Sequence, residues 1–94
     1  MARCRRVPLY DTESGCLHLS TEELVAGAKA AETAGWGGVK IKVGKPTAGD
    51  DFERLAAVRE AAGPRFDLMV DANQSMTAAE AIRRAAVFAP LDLF

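Results

Sequence analysis

Lys40 and Lys42 alternate with Val39, Ile41 and Val43 between Gly38 and Gly44, and further along Asp71 and Asn73 flank Ala72 after the run Phe66-Asp67-Leu68-Met69-Val70. These are residue types that can do chemistry together. A lysine amine removes a proton when neutral and clamps an anion when charged. A carboxylate and an amide oxygen suit a hard cation such as Mg2+. Each pair is ordinary by itself: Lys-x-Lys is common on a solvated strand, and Asp-x-Asn is a common turn former after one. The spacing within each pair gives the combination its interest.

Period-two alternation with β-branched residues reads as a strand whose successive side chains point to opposite faces. Val39, Ile41 and Val43 then share one face, and Lys40 and Lys42 share the other, roughly 7 Å apart. Phe66-Asp67-Leu68-Met69-Val70-Asp71 reads as a second strand, and if it continues, Asp71 and Asn73 share a face as well. Helix-like segments lie before, between and after these strands, the pattern of βαβ units with a parallel sheet. Parallel strands are normally buried on both faces, so lysines on one of them require a polar site. The C-terminal end of a (β/α) barrel is such a place.

The positioning elements follow in order. Arg6-Val7-Pro8-Leu9-Tyr10 is a short strand, with Pro8 at its start or on a sheet edge, and Asp11-Thr12-Glu13-Ser14-Gly15 is a loop. Ser20 and Glu23 form a capping box that opens a helix with Leu24, Ala28 and Ala31 inward and Gly35 at its end. Trp36 is expected between helix and sheet. Asp50 and Glu53 repeat the cap pattern for a second helix, buried through Leu55, Val58 and Ala62 and ended by Gly63-Pro64. Thr77 and Glu80 open a third helix with Ala78, Ala81, Ile82 and Ala85 on its inner face, and Pro90 closes it. Leu91-Asp92-Leu93-Phe94 reads as the first half of another strand. The order is β-α-β-α-β-α-β, which looks like a piece of a larger repeat.

Composition narrows the function classes. The 94 residues allow one small domain at most, and an apolar fraction of 49% suffices for a core. A net charge of -1 gives no general attraction to nucleic acid or anionic membrane. No apolar run reaches the length of a membrane span. The basic start Met1-Ala-Arg-Cys-Arg-Arg lacks the apolar stretch of a secretory signal, so a cytoplasmic setting is expected. Cys4 and Cys16 read as two thiols rather than a disulfide or metal pair, and His18 receives no role. Two nucleotide-loop patterns fail: five residues rather than four separate Gly38 from Gly44-Lys45, with Pro46 where a Walker loop has Ser or Thr, and Gly35-Trp36-Gly37-Gly38 precedes a strand instead of following one.

The stretch Gly35-Trp36-Gly37-Gly38-Val39-Lys40-Ile41-Lys42-Val43-Gly44, followed by Leu68-Met69-Val70-Asp71-Ala72-Asn73-Gln74-Ser75, resembles the mandelate racemase and muconate lactonizing enzymes of the enolase superfamily. The resemblance implies a (β/α)7β barrel and Mg2+-assisted removal of a proton next to a carboxylate, the Lys-base chemistry known for that superfamily. Carried over by motif, Lys42 matches the general base. Lys40 matches the lysine beside the base and the substrate carboxylate, and so counts as both catalytic and substrate-binding. Asp71 matches the first of three carboxylate metal ligands, and Asn73 a polar residue next to substrate.

By this resemblance, residues 1–94 are the N-terminal part of the barrel domain: three βα units and the start of a fourth strand, without the capping domain and the other metal ligands. The expected function is that of a Mg2+-dependent racemase, cycloisomerase or sugar-acid dehydratase acting on a small carboxylate such as a hydroxy acid or sugar acid. A homo-oligomer is expected, with no nucleic-acid or membrane partner, and the 94-residue chain alone should be inactive. The alternative is a non-catalytic βα module that self-associates, or pairs with a missing half-barrel, through its strand edges.

Overall fold

The computed structural model describes residues 10–11, 15–72 and 76–94. Arg6, Val7, Pro8 and Leu9 of the expected first strand, and Asn73, lie outside the described residues. The elements are β1 (Tyr10–Asp11), α1 (Thr21–Thr33), β2 (Gly38–Lys42), α2 (Ala48–Ala62), β3 (Asp67–Asp71) and α3 (Ala78–Phe88), followed by a 3-10 turn, Ala89–Leu91. The strands form a parallel sheet in the order β1-β2-β3, an α/β arrangement.

The register of β2 on β3 places Lys40 opposite Met69 and Lys42 opposite Asp71. Alternation then sorts the side chains as expected. Val39, Ile41, Val43 and Leu68 are buried in one core with Leu24, Ala28 and Ala31 of α1 and Leu55, Val58 and Ala62 of α2, and Val70 packs against it half-buried. Lys40, Lys42, Met69 and Asp71 occupy the other, half-exposed face. At about 25 cal/mol per Å2 of apolar surface, each fully buried leucine or isoleucine contributes about 1.5–3 kcal/mol, enough to fix the register.

Helix starts are set by side-chain caps. Ser20 Oγ accepts from Glu23 N–H while Glu23 returns a bond to Ser20 N–H, a complete capping box. Gly35 (φ 95°) follows α1 in the left-handed region, with Gly35 N–H on Glu32 C=O and Trp36 N–H on Ala31 C=O, a Schellman closure. Trp36 is not buried between helix and sheet: the closure turns the chain outward at the rim, and Trp36 is 40% exposed.

Asp50 does not cap α2. Thr47 does, accepting from Asp50 N–H at 3.1 Å, so the helix begins three residues earlier than expected, at Ala48. Both Thr47 and Asp50 have an acidic residue three positions on, and the Thr47 hydroxyl takes the cap. Gly63 closes α2 as expected.

The third helix keeps Thr77 as its cap, but of the expected inner residues Ala78, Ala81, Ile82 and Ala85 only Ala81 and Ala85 turn toward the sheet, and none of the four is buried. Arg84 and Phe88 are its buried residues and Ile82 is 72% exposed. Arg84 and Phe88 share this face at helical spacing, Arg84 reaching the core acid Asp51, while Ala81 and Ala85 border a cavity against Val43, Val70 and Ala72. Beyond the 3-10 turn, Phe94 N–H donates to Leu68 C=O at 2.9 Å, which lays the last residues alongside β3 as a further strand would lie.

Candidate active site at the strand ends

Lys42 and Asp71 are the last residues of β2 and β3, and the parallel register brings them side by side. Lys42 Nζ donates to Asp71 Oδ2 at 3.1 Å, and Lys40 Nζ lies 3.7 Å from the same oxygen. The two lysine side chains are 27% exposed and the aspartate 31%, so the cluster is shielded yet open on one side. The carboxylate lies between two ammonium groups and offsets the repulsion that would otherwise splay them. Three of the four expected site residues therefore meet at one end and on one face of the sheet, while Asn73 lies outside the described residues.

Asp71 presents hard carboxylate oxygen at a strand end, which suits a divalent cation. Among the described residues no group of three or more His, Cys, Asp or Glu could hold a metal ion. Asp71 is thus a single carboxylate donor, and the described residues alone do not complete a metal site around it.

Charged residues that the motifs do not include support this end of the sheet. Asp51, 0% exposed, accepts from Gly44 N–H with both oxygens (3.1 and 3.0 Å) and from Lys45 N–H (3.1 Å), and Arg84 Nη1 reaches it at 2.7 Å. Arg84 also donates to Glu80, Lys45 C=O and Pro46 C=O. Arg54 donates to Lys42 C=O at 2.9 Å and to the carbonyls of Cys16, Leu17 and Leu19. A signal was available: Asp51 and Arg54 lie on the same helical stripe as Leu55, Val58 and Ala62, and charges on a buried stripe need partners.

Environment moves three of these groups. Burial lowers the Arg54 guanidinium from its ordinary value, with Asp51 opposing. The hydrogen bond to Glu80 raises Arg84, against burial and with support from Asp51. The same bond from Arg84 holds the Glu80 carboxyl below the usual carboxylate range.

Comparison with known proteins agrees with this geometry. The family described as Enolase C-terminal domain-like matches residues 23–94. Over 77 residues the chain is 44% identical to L-talarate/galactarate dehydratase of Salmonella typhimurium, covering 82% of this chain and 19% of that one. It is 42% identical over 77 residues to 3,6-anhydro-alpha-L-galactonate cycloisomerase of Streptomyces coelicolor, covering 82% of this chain and 21% of that one. The crystal structure of an L-talarate dehydratase from a Polaromonas species, in complex with Mg and L-glucarate, superposes with a TM-score of 0.86 at 40% identity, over 93% of this chain and 24% of that one. The chain thus spans about a fifth of the length of the curated relatives it matches. With a family match over most of its residues, and a parallel sheet whose lysine and aspartate strands meet as the motifs imply, the chain belongs to the mandelate racemase and muconate lactonizing enzyme family of the enolase superfamily.

Proposed function

We propose that residues 1–94 are the N-terminal part of a (β/α)7β barrel domain, three βα units and the start of a fourth strand, in an enzyme that removes the α-proton of a sugar-acid carboxylate. The observation that carries this reading is the convergence of Lys40, Lys42 and Asp71 at the C-terminal ends of adjacent parallel strands, the end at which barrel active sites are built. Lys42 in its neutral form takes the proton: the C–H bond breaks, its electron pair passes toward the carboxylate oxygens, and Lys42 becomes an ammonium. Lys40 remains charged beside those oxygens. Asp71 serves as one ligand of Mg2+, which when bound supplies positive charge against the substrate carboxylate. Asn73, two residues past Asp71 in the sequence, is assigned to substrate contact.

Sugar-acid dehydration is favoured over racemisation or cycloisomerisation by the likeness to L-talarate/galactarate dehydratase and to a related structure holding L-glucarate. One carboxylate rarely holds Mg2+ firmly, so the 94-residue chain alone is expected to be inactive. A homo-oligomer in the cytoplasm completes the reading, and the exposed Ile82 on α3 supports association.

The test is exchange of the α-proton of galactarate with solvent deuterium in the complete enzyme. Lys42→Ala should abolish it, and Asp71→Ala should weaken Mg2+ binding in a metal titration. Near-normal exchange in Lys42→Ala, assayed on both epimers at that carbon, would reject Lys42 as the base.

A further inference from the structure

The peptide that follows the Lys42 side chain is held from both sides. Its carbonyl, Lys42 C=O, accepts from Arg54 Nη1 at 2.9 Å, and its N–H, on Val43, donates to Asp71 C=O at 3.0 Å. The next two N–H groups, of Gly44 and Lys45, both end on the Asp51 carboxylate. Three consecutive amides after the candidate base are thus anchored, and two of the anchors come from one buried carboxylate. Gly44 (φ 134°) takes a backbone conformation here that L side chains rarely adopt, just past the end of β2. Arg54 extends the clamp sideways. Its Nη2 gathers the carbonyls of Cys16, Leu17 and Leu19, so one guanidinium ties the loop before α1 to the end of β2.

We propose that Asp51 and Arg54, on the buried face of α2, are positioning residues that fix the end of β2 and thereby aim the Lys42 amine at the α-proton. Neither touches substrate. Both act through the backbone of Lys42 and the residues after it, and this deepens the reading of Lys42 as base, on which it rests. Burying a carboxylate and a guanidinium has a large desolvation cost and is weak evidence for added stability. An apolar pair would serve a plain core better. Their hydrogen bonds go to the strand end and its neighbouring loop, where fixed geometry matters: a misplacement of about 1 Å in reacting groups can reduce a rate about 10²-fold.

The experiment measures α-proton exchange and dehydration of galactarate by the complete enzyme, unaltered and as Arg54→Lys, Asp51→Asn and Lys42→Ala, with thermal unfolding in parallel. Lysine keeps the charge of Arg54 but lacks the planar fork that serves both the end of β2 and the loop before α1. A folded Arg54→Lys enzyme whose exchange rate and kcat fall about 10²-fold while KM and Mg2+ affinity hold is the expected result. Unchanged kcat, or a rise in KM alone, overturns the proposal. If Arg54→Lys does not fold, Asp51→Asn, which keeps the shape of the side chain, is judged by the same criteria. Lys42→Ala separates the two readings. Its retention of exchange removes the base and the positioning proposal together, whereas its loss of exchange beside fully active Arg54→Lys and Asp51→Asn removes the positioning proposal alone.

Discussion

Replacing Asp51 by alanine removes the acceptor of two backbone N–H groups and the partner of a buried guanidinium in one step. Breaking a buried ion pair by deleting one member typically costs about 3–5 kcal/mol. The lower end applies here, because Arg84 keeps Glu80, Lys45 C=O and Pro46 C=O as partners. Gly44 and Lys45 are only half-buried, so water can reclaim much of their hydrogen bonding and they add little. A loss of about 3 kcal/mol is expected, roughly 10²-fold in the folding constant. The assay is urea unfolding followed by circular dichroism at several protein concentrations, which separates association from folding. A double-mutant cycle with Arg84→Ala isolates the pair. A loss under about 1 kcal/mol at unchanged slope would mean that Asp51 is solvated or replaceable, contrary to its burial and bond count.

Other consequences are as direct. A Cβ at Gly15 would overlap the Lys40 carbonyl oxygen and lie 2.9 Å from Ile41 Cα, so Gly15→Ala should destabilise by about 1–3 kcal/mol; urea unfolding with less than half of that loss would show that the loop can retreat freely. Acid should weaken the seat of α3. The folded Glu80 carboxyl titrates below its ordinary 4.5, so its contribution is present above that pH and is lost as pH falls through the lowered value. Glu80→Gln should flatten that part of the stability-pH profile, and an unaltered profile would rule the contact out as its source. The 94-residue polypeptide should self-associate at micromolar concentration through its strand edges and the exposed Ile82, Val87 and Phe94. Sedimentation showing a stable, cooperatively folded monomer would refute that.

Period and capping chemistry are local properties, and the features that rest on them were legible in the residues. Alternation alone put Val39, Ile41 and Val43 on one face and the lysines on the other, since slipping a strand by one residue exposes its whole apolar set. The Ser20–Glu23 box, the Thr77 cap and the stripe Leu55, Val58 and Ala62 were legible for the same reason. With the strands parallel, Lys42 beside Asp71 followed from their shared place at the strand ends. The start of α2, the buried residues of α3 and the exposure of Trp36 were decided by tertiary structure. Thr47 and Asp50 are near-equal caps by local chemistry, so residue type alone did not choose between them, and the inward place of Arg84 rests on a partner, Asp51, far back along the chain. Likewise, the alanine-rich stripe of α3 suggested an apolar inner face, but a buried carboxylate without a cation costs more than a few exposed methyl groups. The helix therefore turns Arg84 inward and leaves Ile82 in water.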